Sequence, residues 1–280
     1  MRLLTPQILL NSHRIPSSPA LPSPPVLFLH GLLGSATNFR TIQAAIASSG
    51  RDTFALDLRN HGASPHSPAP SSLRLLAEDV AATLVAQSGL VTRCDVVGHS
   101  LGGKVAMALA LSHPGLVRRL IVVDIAPVAY DAASNPGWAS VQAVVAGASA
   151  LQPSGFSTRR EVEAALAASV PDPGVRSFVA QNLIPQQGGG FRWRVGWPGI
   201  LASLPIYAGW DAALGAEGGG AVEAAHFIRG ALSRYVLPHH EPTIRAHFPR
   251  AQVHTVEGAG HWVHADKPKE FLELLKALLG

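Results

Sequence analysis

A serine stands between two glycines in Gly98-His99-Ser100-Leu101-Gly102, preceded by the apolar run ending at Val97 and followed by a helix-forming stretch from Lys104 to His113. Serine in such a place can do nucleophilic chemistry. At a sharp strand-to-helix turn the backbone is strained and the hydroxyl is lifted clear of the sheet. A Cβ at position 98 or 102 would clash where strand and helix approach one another, so both positions call for glycine. The helix that opens here also presents free N–H groups, which favour any negative charge that develops beside the serine.

Acyl transfer by such a serine requires a base, a carboxylate to orient the base, and donors for the oxyanion. The base is expected at His261, on the turn Glu257-Gly258-Ala259-Gly260 that follows the last strand. The oxyanion donors are expected to be main-chain: the N–H of Leu101, after the serine, and that of Leu32, after His30-Gly31. His99 and His30 flank these two turns and are expected to buttress them by hydrogen bonding. The acid is less plainly marked. The turn after the strand Ala225 to Arg229 reads Gly230-Ala231-Leu232-Ser233-Arg234-Tyr235 and holds no carboxylate. Asp124, ending the strand after the serine's helix, is the first choice, with Glu241 and Asp211 further off in loops. Asp57 is assigned to holding the turn Arg59-Asn60-His61-Gly62.

The elements that must carry these residues alternate. Strands are expected at Gln7 to Leu10, Val26 to Leu29, Thr53 to Leu58, Arg93 to Val97, Leu116 to Asp124, Ala225 to Arg229 and Ala251 to Val256. Helices are expected at Asn38 to Ser49, Leu73 to Gln87, Lys104 to His113 and Pro268 to Leu279. This order predicts an α/β fold with a mostly parallel, doubly wound sheet. Sites in such sheets gather at the C-terminal strand ends, where His30, Asp57, Ser100 and Asp124 all fall. From Ala126 to Pro205 the rhythm turns helical without clear strands. Thr158-Arg159-Arg160-Glu161 opens a helix to Val170, Pro171-Asp172-Pro173-Gly174 reads as a turn, and Phe191 to Val195 as a short exposed strand. Residues 126–205 are expected to form a helical cap on a core of residues 1–125 and 206–280, and Gly218-Gly219-Gly220 a surface loop.

Composition narrows the function. With 280 residues, 47% hydrophobic and 14% charged, the chain can bury a large core, and no apolar run reaches membrane-spanning length. The net charge of +4 comes from scattered basic residues without a basic run, which argues against a nucleic-acid partner. A single cysteine, Cys94, excludes an intramolecular disulfide and fits a reducing compartment, cytoplasmic or an organellar matrix; no secretory segment is expected, because Ile8 to Leu10 is too short an apolar run. Despite 13 histidines, no metal set is apparent, since His261 and His264 lack a third ligand and His239-His240 are adjacent. No dinucleotide fingerprint occurs, so no cofactor is expected.

Six segments together resemble the α/β-hydrolase superfamily, and more narrowly the YbfF-like acyl esterases, which include the mitochondrial α/β-hydrolase-domain eleven proteins. They are Phe28 to Ser35 with Asn38-Phe39, Asp57 to His66, Gly98 to Lys104, Val123 to Pro127, Phe191 to Val195, and Ala259 to Asp266. Arg59-Asn60-His61-Gly62 and Phe191-Arg192-Trp193-Arg194-Val195 are the most specific of these. The resemblance implies a Ser100 nucleophile, a His261 base and the relocated acid at Asp124. It implies hydrolysis of short- to medium-chain acyl esters or thioesters beneath a helical cap. An acyltransferase or carbon–carbon hydrolase using the same serine, or a non-catalytic binding module, are the competing readings. The chain departs from the family pattern after Val195, where Gly196-Trp197-Pro198 replaces an Asn-Leu pair, and in the Gly/Ala-rich Ala143 to Ala150.

Overall fold

A computed structural model describes residues 7–18, 23–87, 93–211, 214 and 222–280. Seven strands of the described residues form one sheet: β1 (Ser12–Ile15), β2 (Val26–Leu29), β3 (Thr53–Leu56), β4 (Cys94–His99), β5 (Val117–Val123), β8 (Ala224–Gly230) and β9 (Gln252–Val256). Their spatial order is β1-β3-β2-β4-β5-β8-β9. All neighbours run parallel except β1, which pairs antiparallel with β3 at the edge.

Strand β2 and the middles of β4 (Val96-Val97) and β5 (Leu120 to Val123) are apolar on successive residues because both faces are covered. Alternate side chains go to opposite sides, as the pleat requires. Leu27, Leu29, Val96, Leu120 and Val122 enter a core beneath α2 (Leu73–Ala86) and α3 (Leu101–Ser112). Val26, Phe28, Val97, Ile121 and Val123 enter the opposite core, against α1 (Arg40–Ala47) and α10 (Pro268–Leu279). Full burial of one such side chain is worth about 1.5–3 kcal/mol. These two cores fix the heights of the strand ends on which the candidate residues stand.

The edge strand differs from expectation. Gln7 to Leu10 is not a strand; the antiparallel strand begins at Ser12. The reason lies in α2, where the Asp79 carboxylate accepts from the Ile8 N–H (2.9 Å) and the Thr83 hydroxyl oxygen from the Leu10 N–H (2.9 Å). With its amides taken by helix side chains, that stretch cannot join a ladder.

Between β5 and β8 the chain forms α4 (Pro136–Ala150), α5 (Arg159–Leu166), α6 (Pro173–Ala180), a two-stranded hairpin of β6 (Leu183–Pro185) and β7 (Phe191–Trp193), and α7 (Trp197–Ala208). The expected turn at Pro171 to Gly174 is a helix start, in which the Asp172 side chain accepts from the Val175 N–H and Pro173 takes the first helical position. Phe191 to Trp193 has a partner that its sequence surroundings did not signal, since Leu183 lies opposite Trp193 and Pro185 opposite Phe191. Val144, Val145, Val162, Leu166, Val179 and Ile200 make a third core, which includes Leu33 from the sheet side. The other α-helices among the described residues are α8 (Glu241–His247) and α9 (Val263–Asp266). Gly218 to Gly220 lies outside the described residues.

Candidate active site

Ser100 follows the last residue of β4 and caps α3 with φ 53° and ψ −118°, in the strained left-handed half of the map. The two glycines are sterically required. A Cβ on Gly98 would stand 2.2 Å from the Gly102 carbonyl oxygen, and one on Gly102 would stand 2.2 Å from that of Leu29. The Ser100 N–H donates to the Val123 carbonyl (3.0 Å), which ties the elbow to the neighbouring strand.

Three strand ends bring the candidate side chains together. His261 Nε2 lies 3.1 Å from Ser100 Oγ, and His261 Nδ1 lies 2.8 Å from Asp124 Oδ2. A carboxylate only accepts, so Nδ1 carries the hydrogen and Nε2 is free to accept the serine proton. Asp124 is fully buried and also has a positive φ, 53°. Its Oδ1 accepts from the Gly230 N–H (3.1 Å), and its Oδ2 also accepts from the Ser233 hydroxyl. The turn without a carboxylate therefore still serves this site, through Ser233. Glu241 is instead paired with Arg245 (3.0 Å), and Asp211 is exposed in a loop; neither meets His261.

Sequence reasoning missed the groups that hold the base in place. The Tyr235 ring lies against the His261 ring with centroids 4.2 Å apart. The Tyr235 carbonyl is in turn held by the Tyr130 hydroxyl (2.6 Å). His99 donates from Nε2 to the His261 carbonyl oxygen (2.9 Å), so its buttressing acts on the base and not on its own turn. Burial, followed by the nearby His264 and His261, pushes the His99 imidazole well below its usual range and keeps it neutral. His264 packs edge-on to His99, and burial lowers it to about 4.

On the other side of the serine, His30 accepts the Leu58 N–H at Nε2 (2.9 Å), which leaves Nδ1–H to donate to the Gly31 carbonyl (2.8 Å). Asp57 accepts from the N–H groups of Ala36 (2.7 Å) and Ala63 (2.8 Å) and from Asn11 Nδ2 (2.8 Å). Burial alone would raise the Asp57 carboxyl, but these donors and His30 outweigh it and hold it below its usual value. Within that turn, Arg59 is buried in an ion pair with Asp79 of α2 (2.7 Å).

Among the described residues, no protein acceptor engages the N–H of Leu32 or that of Leu101. Leu101 follows Ser100 as the first residue of α3, and Leu32 lines the same cavity as Ser100. The next residue, Leu33, has φ 61°, and its carbonyl accepts from the buried side chain of Asn182 (2.8 Å), a contact across 149 residues of chain. A cavity of about 1220 Å³ opens over Ser100 and His261. Its walls include Val141, Val144 and Val145 of α4, Phe178 of α6 and Trp262. Among the described residues no three His, Cys, Asp or Glu side chains converge on a metal-sized site.

Lys104, four residues after the serine, is buried with its ammonium donating to the carbonyls of Val128 (3.1 Å), Tyr207 (3.0 Å), Ala208 (2.9 Å) and Gly209 (2.6 Å). Burial pushes it down to about 7, while the carbonyl ends of α7 favour its charged form. It ties the elbow helix to the end of α7.

Residues 24–268 match the family model described as alpha/beta hydrolase fold. The chain belongs to the α/β-hydrolase fold family. It is 39% identical over 257 residues to the sn-1-specific diacylglycerol lipase ABHD11 of Mus musculus, covering 91% of this chain and 81% of that protein. It is 30% identical over 255 residues to the esterase YbfF of Escherichia coli (strain K12), covering 91% and 92%. A solved structure of a marine microorganism esterase superposes with a TM-score of 0.88 at 30% identity, covering 97% of this chain and all of that one. The resemblance to the YbfF-like and α/β-hydrolase-domain eleven proteins therefore holds across the chain, which stands with these relatives as a carboxylester hydrolase.

Proposed function

We propose that the protein hydrolyses acyl esters or thioesters through a covalent acyl-enzyme on Ser100. His261 takes the serine proton at Nε2 as Oγ attacks the acyl carbon, and gives it to the leaving alcohol or thiol. Asp124 orients the imidazole and stabilises its cationic form. The N–H groups of Leu32 and Leu101 receive the oxyanion. Water then attacks the acyl-enzyme with His261 again as base, releasing the acid. The observation that carries this reading is the unbroken contact from Ser100 Oγ through His261 to buried Asp124.

Residues 126–205 act as a cap over the serine, since α4 and α6 supply apolar walls to its cavity. A volume of about 1220 Å³ exceeds the roughly 300–1,000 Å³ of most small-molecule sites, which supports acyl groups of medium length alongside short ones. The lone cysteine, Cys94, is buried and raised to about 12 by that burial, in keeping with the cytoplasm or an organellar matrix. A chain-length series of p-nitrophenyl esters and acyl thioesters, run with and without a competing alcohol, tests the proposal. Turnover of short- and medium-chain members, with acid as the product, is expected; exclusive transfer to the alcohol would make the protein an acyltransferase, and no turnover would leave it a binding module.

A further inference from the structure

The Phe191 to Val195 segment is conspicuous in sequence, yet its two arginines take no part in the ester site. Both arginines line a separate cavity of about 550 Å³ together with Ser35, Thr37, His13 and His66. This cavity shares no lining residue with the one over Ser100. Among the described residues neither Arg192 nor Arg194 has an acceptor for its side chain. The contrast is with Arg14, Arg51, Arg59 and Arg118, each of which is paired with an aspartate.

Among the described residues the only carboxylate in the wall is Asp57, whose oxygens are turned to the Ala36 and Ala63 amides and to Asn11. Hydroxyl donors line the same cavity: Ser35 and Thr37 share one hydrogen bond (2.7 Å), which leaves one of their two hydrogens to donate elsewhere. Through His13 and Thr37 the cavity adjoins a second one, of about 370 Å³, that adds Arg40, which also has no side-chain acceptor among the described residues. Arginines without acceptors that line one cavity suit a divalent oxyanion, because each guanidinium can offer two parallel N–H donors.

We propose that this cavity binds a phosphate-bearing small molecule, with Arg192 and Arg194 as its principal ligands. The hairpin that carries them is joined at its base to Asn182, since the Arg194 N–H donates to the Asn182 carbonyl (2.7 Å) and the Asn182 side chain holds Leu33. Any effect of the ligand on ester turnover through that link rests on the role proposed for Leu32. Binding itself does not.

Calorimetric titration of the full chain with inorganic pyrophosphate at low ionic strength tests the proposal. Saturable binding is expected for the wild type and equally for Ser100→Ala, so the outcome is independent of catalysis. Arg192→Ala and Arg194→Ala should each weaken binding at least about tenfold. Arg74→Ala, which removes an exposed arginine of α2, should leave it unchanged. Arg192 is exposed and unpaired, so its alanine variant is expected to melt like the wild type and keeps the test valid should Arg194→Ala fold poorly. Absence of binding to the wild type, undiminished binding by Arg192→Ala, or an equal loss in Arg74→Ala would each overturn the proposal.

Discussion

Replacing Asp124 by Asn keeps the shape of the site and inverts its proton order. In the wild type Asp124 Oδ2 receives two donors, His261 Nδ1–H and the Ser233 hydroxyl, while Oδ1 receives the Gly230 N–H. An asparagine has one oxygen and one NH₂ for these places. If the oxygen stays towards Gly230, the NH₂ faces His261, which must then move its hydrogen to Nε2 and point it at Ser100. The base is lost. If the amide turns over, two buried donors meet at Gly230, at a cost of about 1–3 kcal/mol. The first arrangement therefore prevails, and kcat should fall about 10⁴-fold, equivalent to about 5.5 kcal/mol of transition-state stabilisation. KM and the melting temperature should change little. Steady-state hydrolysis of a p-nitrophenyl ester across pH, with a thermal melt as a folding control, measures this. Activity within tenfold of wild type in a folded Asp124→Asn protein would refute the assignment and return the acid to Glu241 or Asp211.

Gly102→Ala should destabilise the fold by at least about 1–3 kcal/mol, read as a lower urea midpoint, since its Cβ would meet the Leu29 carbonyl at 2.2 Å; a wild-type midpoint would contradict the packing described. Asn182→Ala strips the Leu33 carbonyl of its buried donor and should lower kcat about tenfold with KM nearly unchanged, a loss of roughly 1.4 kcal/mol in the transition state alone; a change in KM only would place Asn182 in substrate binding. Stability should also fall in acid. Burial holds folded His264 near 4 against about 6.5 in the unfolded chain, so its contribution is full above pH 6.5 and is lost as pH falls towards 4. Between pH 7.5 and 4.5 this amounts to about 2–3 kcal/mol, and urea unfolding of His264→Phe should show a shallower acid slope than wild type. Equal slopes would remove His264 from the account.

The inner strands were legible because they are short apolar runs separated by helices, and the elbow because its two glycines flank Ser100 at fixed spacing, although the contact that requires Gly102, with the Leu29 carbonyl, lies across the fold. Asp124 could be read from its place at the end of a strand, but its three donors could not. Ser233, Gly230 and His261 reach it from over 100 residues away. A separation of 149 residues likewise hid Asn182 beneath Leu33, and Tyr235, nearer in the chain, meets His261 only through a ring contact that no motif signals. No local pattern marks a side chain whose partner lies across the fold. Gln7 to Leu10 misled for a related reason: its apolar residues suit a strand, yet two side chains of α2 claim its amides. At Pro171 to Gly174 the same residues that make turns also start helices, and Asp172 as a cap decided for the helix.

The central claim is that Ser100 is the nucleophile, activated by the contact through His261. Its most direct measurement is peptide mass spectrometry of the protein after reaction with a fluorophosphonate, performed on wild type, Ser100→Ala and His261→Ala. A single phosphonylated serine at position 100 in the wild type is expected, with no adduct in Ser100→Ala and labelling slowed by orders of magnitude in His261→Ala. An adduct on another residue that persists, with full ester turnover, in Ser100→Ala would contradict the mechanism outright.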